Sequence, residues 1–269
     1  MPELLYNYSA LAIAIGLALC MLAALELGYR LGRPKAATTS EALRSHINSV
    51  QASLLGLLAL VISFTFAVAL QHYDARSVAV VDEANALGTT WLRTAMLAAP
   101  AREEMRALLR DYIDTRVVEG HETLSASRER ATELAASGAM QARLWQLTAD
   151  IVAKDNNPVS AGLFEQALND SIDAFGSRNA HLARHVPEIV LWILFATFAV
   201  TAAVLGYSAG IAAHRPPLAS MLLIALIVAL TYLIIDLDRP RRGLIQISQA
   251  PMLELQQSLA DEATRAARQ

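Results

Sequence analysis

Apolar residues along this chain gather into four long runs, and the stretches between them alternate polar and apolar positions with a helical period. Residues 9–27 form the first run. No Lys or Arg precedes it, so it lacks the basic start of a secretory signal, and its length suits a membrane helix that is retained. Tyr6, Tyr8 and Tyr29 bracket it as interfacial aromatics would. Glu26, one turn from its end, reads as an interface carboxylate rather than one held deep in the bilayer. Gly32 and Pro34 end this helix, and Thr39 or Ser40 caps a short helix leading through His46 to the second run.

The chain is organised around that second run. Residues 54–70 carry no charge and are just long enough to cross a hydrocarbon core of roughly 30 Å as a helix. No Pro or Gly follows until Gly88, so the helix is predicted to leave the membrane and continue to about Met96, stopping before Ala99-Pro100. The long polar section 71–186 then breaks into further helical pieces. These run over 101–118, over about 125–154 with an interruption near Ser137-Gly138, and over 159–185, with Asp155-Asn156-Asn157-Pro158 as a turn. They read as a soluble antiparallel bundle built partly on the extended second helix. In the 101–118 piece, Met105, Leu108, Leu109, Tyr112, Ile113 and Arg116 share one face, and Arg110 with Asp114 forms a possible i,i+4 pair.

Pro187 and Glu188 suit the start of the third run, to residue 213, and His214-Arg215-Pro216-Pro217 makes a hairpin into the fourth, 217–237. A tail, 238–269, holds an extended piece and a short amphipathic helix with Met252, Leu255 and Leu259 on one side. The fold class is therefore all-α. The predicted organisation is two spans in 1–70, a soluble helical bundle in 71–186 inserted between the second and third spans, two spans in 187–237, and the tail. Four spans put both termini and the large section on one side. Lys and Arg do not choose which: Arg30, Arg33, Lys35, Arg44 and Arg215 on one side balance Arg239, Arg241, Arg242, Arg265 and Arg268 on the other.

Composition agrees: 55% of the 269 residues are hydrophobic, above the soluble norm. A formal net charge of −3 argues against nucleic acid as a partner. The single Cys20 sits in an apolar run, which excludes an intrachain disulfide and reads as a small buried or lipid-facing hydrophobe.

On a helical wheel of the second run, Ser49, Ser53, Gly56, Ser63, Ala67 and Asp74 fall in a stripe about 80° wide, with Leu60 and Leu70 in it. Small residues let membrane helices approach closely, and the same stripe would serve as a pore wall. Ile62, Phe64 and Phe66 are bulky enough for a dewetting constriction, and equally suited to lipid or core.

Catalytic chemistry is scarce. No phosphate loop, dinucleotide fingerprint, zinc-protease helix or nucleophile elbow occurs. Glu103-Glu104 beside Arg106 resembles paired-glutamate intramembrane proteases only loosely, because Leu108 stands where an Arg is needed and the pair lies outside the spans. His181 and His185 stand i,i+4, a spacing that can clamp a metal but here lacks a third ligand. Asp236 and Asp238 can ligate a cation, or instead cap or pair with Arg239, Arg76 or Arg184. The reading is of a protein that is not an enzyme and needs no cofactor or metal.

Across most of its length the sequence resembles the prokaryotic bestrophin-like membrane proteins. The blocks that carry the resemblance are Tyr73-Asp74-Ala75-Arg76, Glu83-Ala84-Asn85-Ala86, Arg93, the LRDYIDTR segment containing Arg110, Asp114 and Arg116, and residues 236–243. The stretch 122–158 matches least. The resemblance implies a pentameric anion channel of the bacterial inner membrane, with the bilayer and a permeant anion as partners. It also implies cytoplasmic termini and soluble section, and a second span lining the pore. Pore candidates are then Ser53, Gly56, Ile62, Ser63, Phe64, Phe66 and Ala67. Asp74, Arg76, Glu83, Asp236, Asp238 and Arg239 would form a charge network at the membrane mouth. The acidic run that binds calcium in animal bestrophins is absent, with Asp236 and Asp238 its only counterpart. The alternative is a non-conducting scaffold or sensor acting through the soluble helices.

Overall fold

Ser9 starts the first helix in the way its residue type predicts: its hydroxyl oxygen accepts the Ala12 amide at 3.1 Å. In this computed structural model, which describes residues 8–121, 127–154, 159–239 and 243–266, helix α1 spans Ala10–Gly32. A 3₁₀ turn, Arg33–Lys35, carries Pro34 and closes it. The long helix α2 spans Glu41–Arg93, 53 residues without a break. The short capped helix expected before the second run is simply its first turns, with Ser40 accepting the Leu43 amide. A 3₁₀ turn, Thr94–Met96, follows, and the Ala99-Pro100 bond is cis.

Next come α3 (Ala101–His121), α4 (Ser127–Lys154), α5 (Ala161–Ala183), α6 (Glu188–Ile211), α7 (Leu218–Leu237) and α8 (Ala250–Ala266). No strand occurs among the described residues. The interruption expected near Ser137-Gly138 is absent. Gly138 has open space around it, and Ser137 is buried with its hydroxyl turned to Glu119, so nothing there breaks the backbone ladder. The expected turn at 155–158 lies outside the described residues.

Among the described residues, four helices are long and apolar enough to cross a membrane: α1, α2, α6 (within Ala161–Ile211) and α7, with mean hydropathies of 2.4 to 2.8 in their most apolar windows. The chain divides into two compact units. The first holds the described residues of Met1–His72, His185–Arg239 and Gly243–Ile245; the second holds those of Tyr73–Arg184 and Gln246–Gln269.

In the first unit, α1 and α6 meet along glycines. A Cβ at Gly28 would overlap the Ala203 carbonyl, and one at Gly206 the Leu25 carbonyl. One at Gly32 would strike Tyr207, and one at Gly210 would lie 2.5 Å from the Tyr29 carbonyl oxygen. Each helix thus offers a Gly-x-x-x-Gly face to the other, and backbone touches backbone. In lipid, where apolar burial supplies little drive between helices, such close packing is what holds them. Met21, Leu25, Phe198 and Ala202 fill the same seam. Leu11, Ile15, Leu19, Ile189, Trp192 and Leu222 point outward, apolar and exposed, as suits a lipid solvent. Cys20 is exposed in that apolar surface.

The second unit has a hydrophobic core of its own. Leu87 and Trp91 from α2, Met105, Leu109 and Ile113 from α3, Leu144 from α4, Phe164 and Leu168 from α5, and Met252 and Leu259 from α8 converge in it. The apolar face read from α3 is buried as its spacing requires, but Arg116 lies among the buried residues too.

Candidate functional site

Helix α2 has two faces along its apolar stretch. Leu58, Ile62, Thr65 and Ala69 are buried within the chain, repeating at i, i+4, i+7 and i+11. Ser53, Gly56, Leu60, Ser63, Phe64 and Ala67 are all exposed on the other side, Phe64 to 65%. Ile62 stands opposite Ser53 on the wheel and is only 9% exposed, so it packs within the chain; Phe66 is intermediate. The hydroxyls of Ser53 and Ser63 donate to the Ser49 and Ala59 carbonyls, which hides their polarity within the helix. The exposed stripe is therefore uncharged, small in side chain, and punctuated by Leu60 and Phe64.

Asp236 and Asp238 close the last span. Asp236 is buried and accepts the amides of Leu244 at 3.0 Å and Ile245 at 2.9 Å, turning the chain back after α7. Gly243 is required there, since a Cβ would sit 2.7 Å from the Asp236 carboxylate. Asp238 accepts the Val186 amide at 2.8 Å and lies 3.1 Å from His72 Nδ1, while its carbonyl oxygen faces His185 Nδ1 at 3.1 Å. Both carboxylates are thus engaged by protein groups. Among the described residues, no three His, Cys, Asp or Glu side chains converge as metal ligands. Asp236→Ala is expected to strand two amides and cost about 1–3 kcal/mol, read as a lower melting temperature in detergent. Gly243→Ala should destabilise in the same direction, and unchanged melting in both would remove this role.

In the second unit Arg76, 1% exposed, crosses from α2 to the end of α5. Its Nε donates to the His181 carbonyl at 3.1 Å, and its terminal nitrogen donates to the Arg184 carbonyl. A guanidinium there satisfies carbonyls left open at a helix C-terminus and complements the dipole. Because α5 ends at Ala183, His185 lies past the helix, and the i,i+4 clamp with His181 does not form.

Glu83 is fully buried and holds two arginines. Arg116 Nε donates to one carboxylate oxygen at 2.7 Å, its terminal nitrogen to the other at 3.2 Å, and Arg178 donates to the same group. Arg116 also pairs with Glu119, whose oxygens accept the Ser137 hydroxyl at 2.9 and 3.0 Å, and stacks over Phe175. Arg178 reaches Gln249 before α8 at 2.8 Å. Two carboxylates and two guanidiniums balance in formal charge. Burial works to raise the pKa of Glu83, yet the charges and hydrogen bonds of Arg116 and Arg178 outweigh it and hold the carboxyl below its usual range. Burial likewise opposes charge on Arg116, and Glu83 overcomes it, raising that pKa. The Tyr112 hydroxyl, accepting from Gln141 beside this cluster, is raised mainly by burial.

Of the other residues expected in the charge network, each is placed within its own unit. Asp74 is exposed and makes no hydrogen bond or ion pair among the described residues, Glu83 is taken up by Arg116 and Arg178, and Arg239 is buried. Asn85 is exposed, and Arg93 donates to the Leu163 carbonyl at 2.6 Å. Arg110 does not pair with Asp114: it lies over the Trp91 ring at 5.5 Å, opposite duty falling to Gln256, which donates to Asp114 at 2.8 Å. Sequence reasoning passed over Arg178, Glu119 and Gln249. Arg178 carried a signal, because it follows Phe164, Leu168 and Ser171 on the buried face of α5.

The bestrophin-like domain family matches residues 13–252. No curated protein matches the chain. Solved structures share the fold at low identity. A bacterial bestrophin homolog from Klebsiella pneumoniae is 14% identical with a TM-score of 0.66, over 91% of this chain and 98% of that one. A second structure of that homolog is 15% identical with a TM-score of 0.56, over 94% and 98%. A crystal structure described as a membrane protein gives 14% and 0.63, over 90% and 97%.

Proposed function

The chain belongs to the bestrophin-like family, and from that premise we propose that it is a homo-oligomeric anion channel whose α2 helices line the pore. The observation that carries this reading is the exposed stripe of Ser53, Gly56, Leu60, Ser63, Phe64 and Ala67. The chain buries the opposite face of α2 in itself, so the small-residue stripe is left for an axis shared with other copies. Copies arranged about that axis, five by family resemblance, would enclose a narrow apolar lumen. In this reading residues 71–186 form a soluble bundle inserted between the second and third spans, on the cytoplasmic side of the inner membrane with both termini.

Phe64 is the narrowing residue in this arrangement, being the bulkiest on the stripe. The positive edges of its ring would face a passing anion. Ser53 and Ser63 spend their protons on backbone carbonyls, so the wall repays little of an anion's dehydration, and weakly hydrated anions should pass most easily. Ile62 is not part of the lumen and supports it from behind.

Reconstituted protein is expected to conduct anions, with Phe64→Ala raising flux severalfold. Ile62→Ala should instead cost stability, about 2–4 kcal/mol, and leave selectivity unchanged. Silence of a well-folded oligomer in bilayers under varied anions would overturn the channel reading. The alternative is a non-conducting scaffold or sensor acting through the helical unit, where charged residues such as Asp74 and Asp82 stand exposed outside the apolar runs. Subunit stoichiometry by native mass spectrometry separates the two: a pentamer supports the pore, and a monomer or dimer leaves no axis for one.

A further inference from the structure

At one end of the apolar helices of the first unit the charge balance departs from the rest of the chain. Arg30, Arg33, Lys35, Arg44 and Arg215 gather on the turn after α1, the start of α2 and the loop after α6, with Glu26 and Glu41 as the carboxylates among them. The whole chain carries −3, so this end is positive against a negative remainder. Glu26 is already spent: it holds Arg30 at 2.8 Å and Arg215 at 3.2 Å. Arg33 is exposed and makes no ion pair among the described residues. Lys35 lies over the Tyr207 ring, 5.8 Å from its centroid, with no carboxylate beside it.

Between α2 and α6, Arg44, Asn48 and Ser208 line a cavity of about 70 Å³ whose other walls are Ile47, Ile211 and Ala212. Arg44 donates one nitrogen to the Ala36 carbonyl at 2.7 Å, which fixes its guanidinium at this cavity. Ser208 donates to the Asn48 side-chain oxygen at 3.2 Å on the same wall.

We propose that this end of the protein binds the headgroups of anionic phospholipids, with Arg33, Lys35 and Arg44 as the recognising cations. The occupant follows from what adjoins the cations. Leu27 and Leu31 of α1 are each 59% exposed, and Leu218 at the start of α7 is 73% exposed. Tyr29 and Tyr207 lie at the same level, where aromatic rings mark a membrane interface, and Arg215 stacks on Tyr29 at 5.0 Å. A free anion would use only the cations. A phospholipid uses both: its phosphate meets Arg and Lys, and its chains cover the exposed leucines. Juxtamembrane cations of this kind attract anionic lipid over neutral lipid, each contributing separately and less at high salt.

The test uses full-length protein in nanodiscs of phosphatidylcholine, with or without phosphatidylglycerol, followed by native mass spectrometry of retained lipid and by thermal melting. Wild type is expected to retain phosphatidylglycerol over phosphatidylcholine by about tenfold and to melt higher in its presence. Arg33→Gln/Lys35→Gln should lose most of that preference, and adding Arg44→Gln should abolish it. Because Arg44 also bonds the Ala36 carbonyl, the double variant stands as the test if the triple variant does not fold. Arg265→Gln, a cation of α8 in the other unit, should keep the preference. Equal retention of the two lipids by wild type, or a preference that survives the double variant, would overturn the proposal. So would inorganic phosphate in phosphatidylcholine discs raising the melting point as far as phosphatidylglycerol does, which would mark a site for a bare anion.

Discussion

Gly28→Leu and Gly206→Leu, made singly, are expected to prevent recovery of folded protein from detergent extracts. At both positions the atom that a side chain would meet is a backbone carbonyl of the facing helix, which no rotamer change can move aside. Relief requires α1 and α6 to separate, and separation forfeits the contacts along the whole seam from Met21 to Gly32. Overpacking of a side chain against side chains costs about 1–3 kcal/mol; against backbone, in a contact repeated at Gly32 and Gly210, the upper end or beyond is expected. Gly16→Ala and Gly176→Ala are the matched controls, with open space where the methyl would go. They should be neutral or slightly stabilising, because Ala is the better helix former by about 1 kcal/mol. Fluorescence-detected size exclusion and melting curves read both sets. A Gly28→Leu protein that melts with wild type would show that the two helices do not meet as described.

Glu83→Gln is expected to be the most damaging single-atom change in the second unit. It removes the anion shared by Arg116 and Arg178 and leaves two buried guanidiniums with Glu119, on Arg116, as the remaining carboxylate of the cluster. Breaking a buried pair from one side costs about 3–5 kcal/mol, far more than the pair itself contributes over an apolar substitute. The pH dependence has a defined sign. The folded Glu83 carboxyl titrates below the ordinary glutamate value of about 4.5, so its stabilisation is complete above that pH and is lost as pH falls through the folded value. Wild type should therefore lose stability on acidification below about pH 4.5, and part of that loss should vanish in Glu83→Gln, whose curve is flatter and lower. Melting temperatures between pH 3 and 7 (roughly the range spanned by carboxylate titration) check both statements. A Glu83→Gln protein as stable as wild type at pH 7 would remove the cluster's structural role.

How legible the fold was depends on which kind of force places each element. Apolar runs at membrane length announce helices because lipid tolerates no unpaired backbone, and α1, α2, α6 and α7 lie where those runs do. The absence of Pro and Gly after Leu70 announced that α2 would not stop, and it continues to Arg93. The i, i+3, i+4 spacing of Met105, Leu109, Tyr112 and Ile113 announced the buried face of α3. Glycine spacing at 28/32 and 206/210 was equally available as a sign of close helix contact, but spacing does not say which two helices share it.

Side-chain partners were a different matter. Arg110 and Asp114 satisfy the i,i+4 rule, yet each finds something better across the bundle, Trp91 and Gln256, since an exposed pair offers only tenths of a kcal/mol to hold it. The sequence likewise does not say which groups Glu83 and Asp236 meet within their own units. Packing sent Glu83 to arginines far along the chain, Arg116 and Arg178, and gave Asp236 to the backbone of Leu244 and Ile245. On α2, Ile62 and Phe64 stood together as bulky candidates two residues apart. The helix turns them to different sides, and only the packing of the chain shows that Ile62 faces inward and Phe64 outward. By itself the sequence determined which segments are helical and which can lie in lipid, because those follow from local periodicity and from the solvent around them. The tertiary structure decided which face of α2 is left open and which charges meet, because those depend on partners that are distant in the chain and adjacent only after folding.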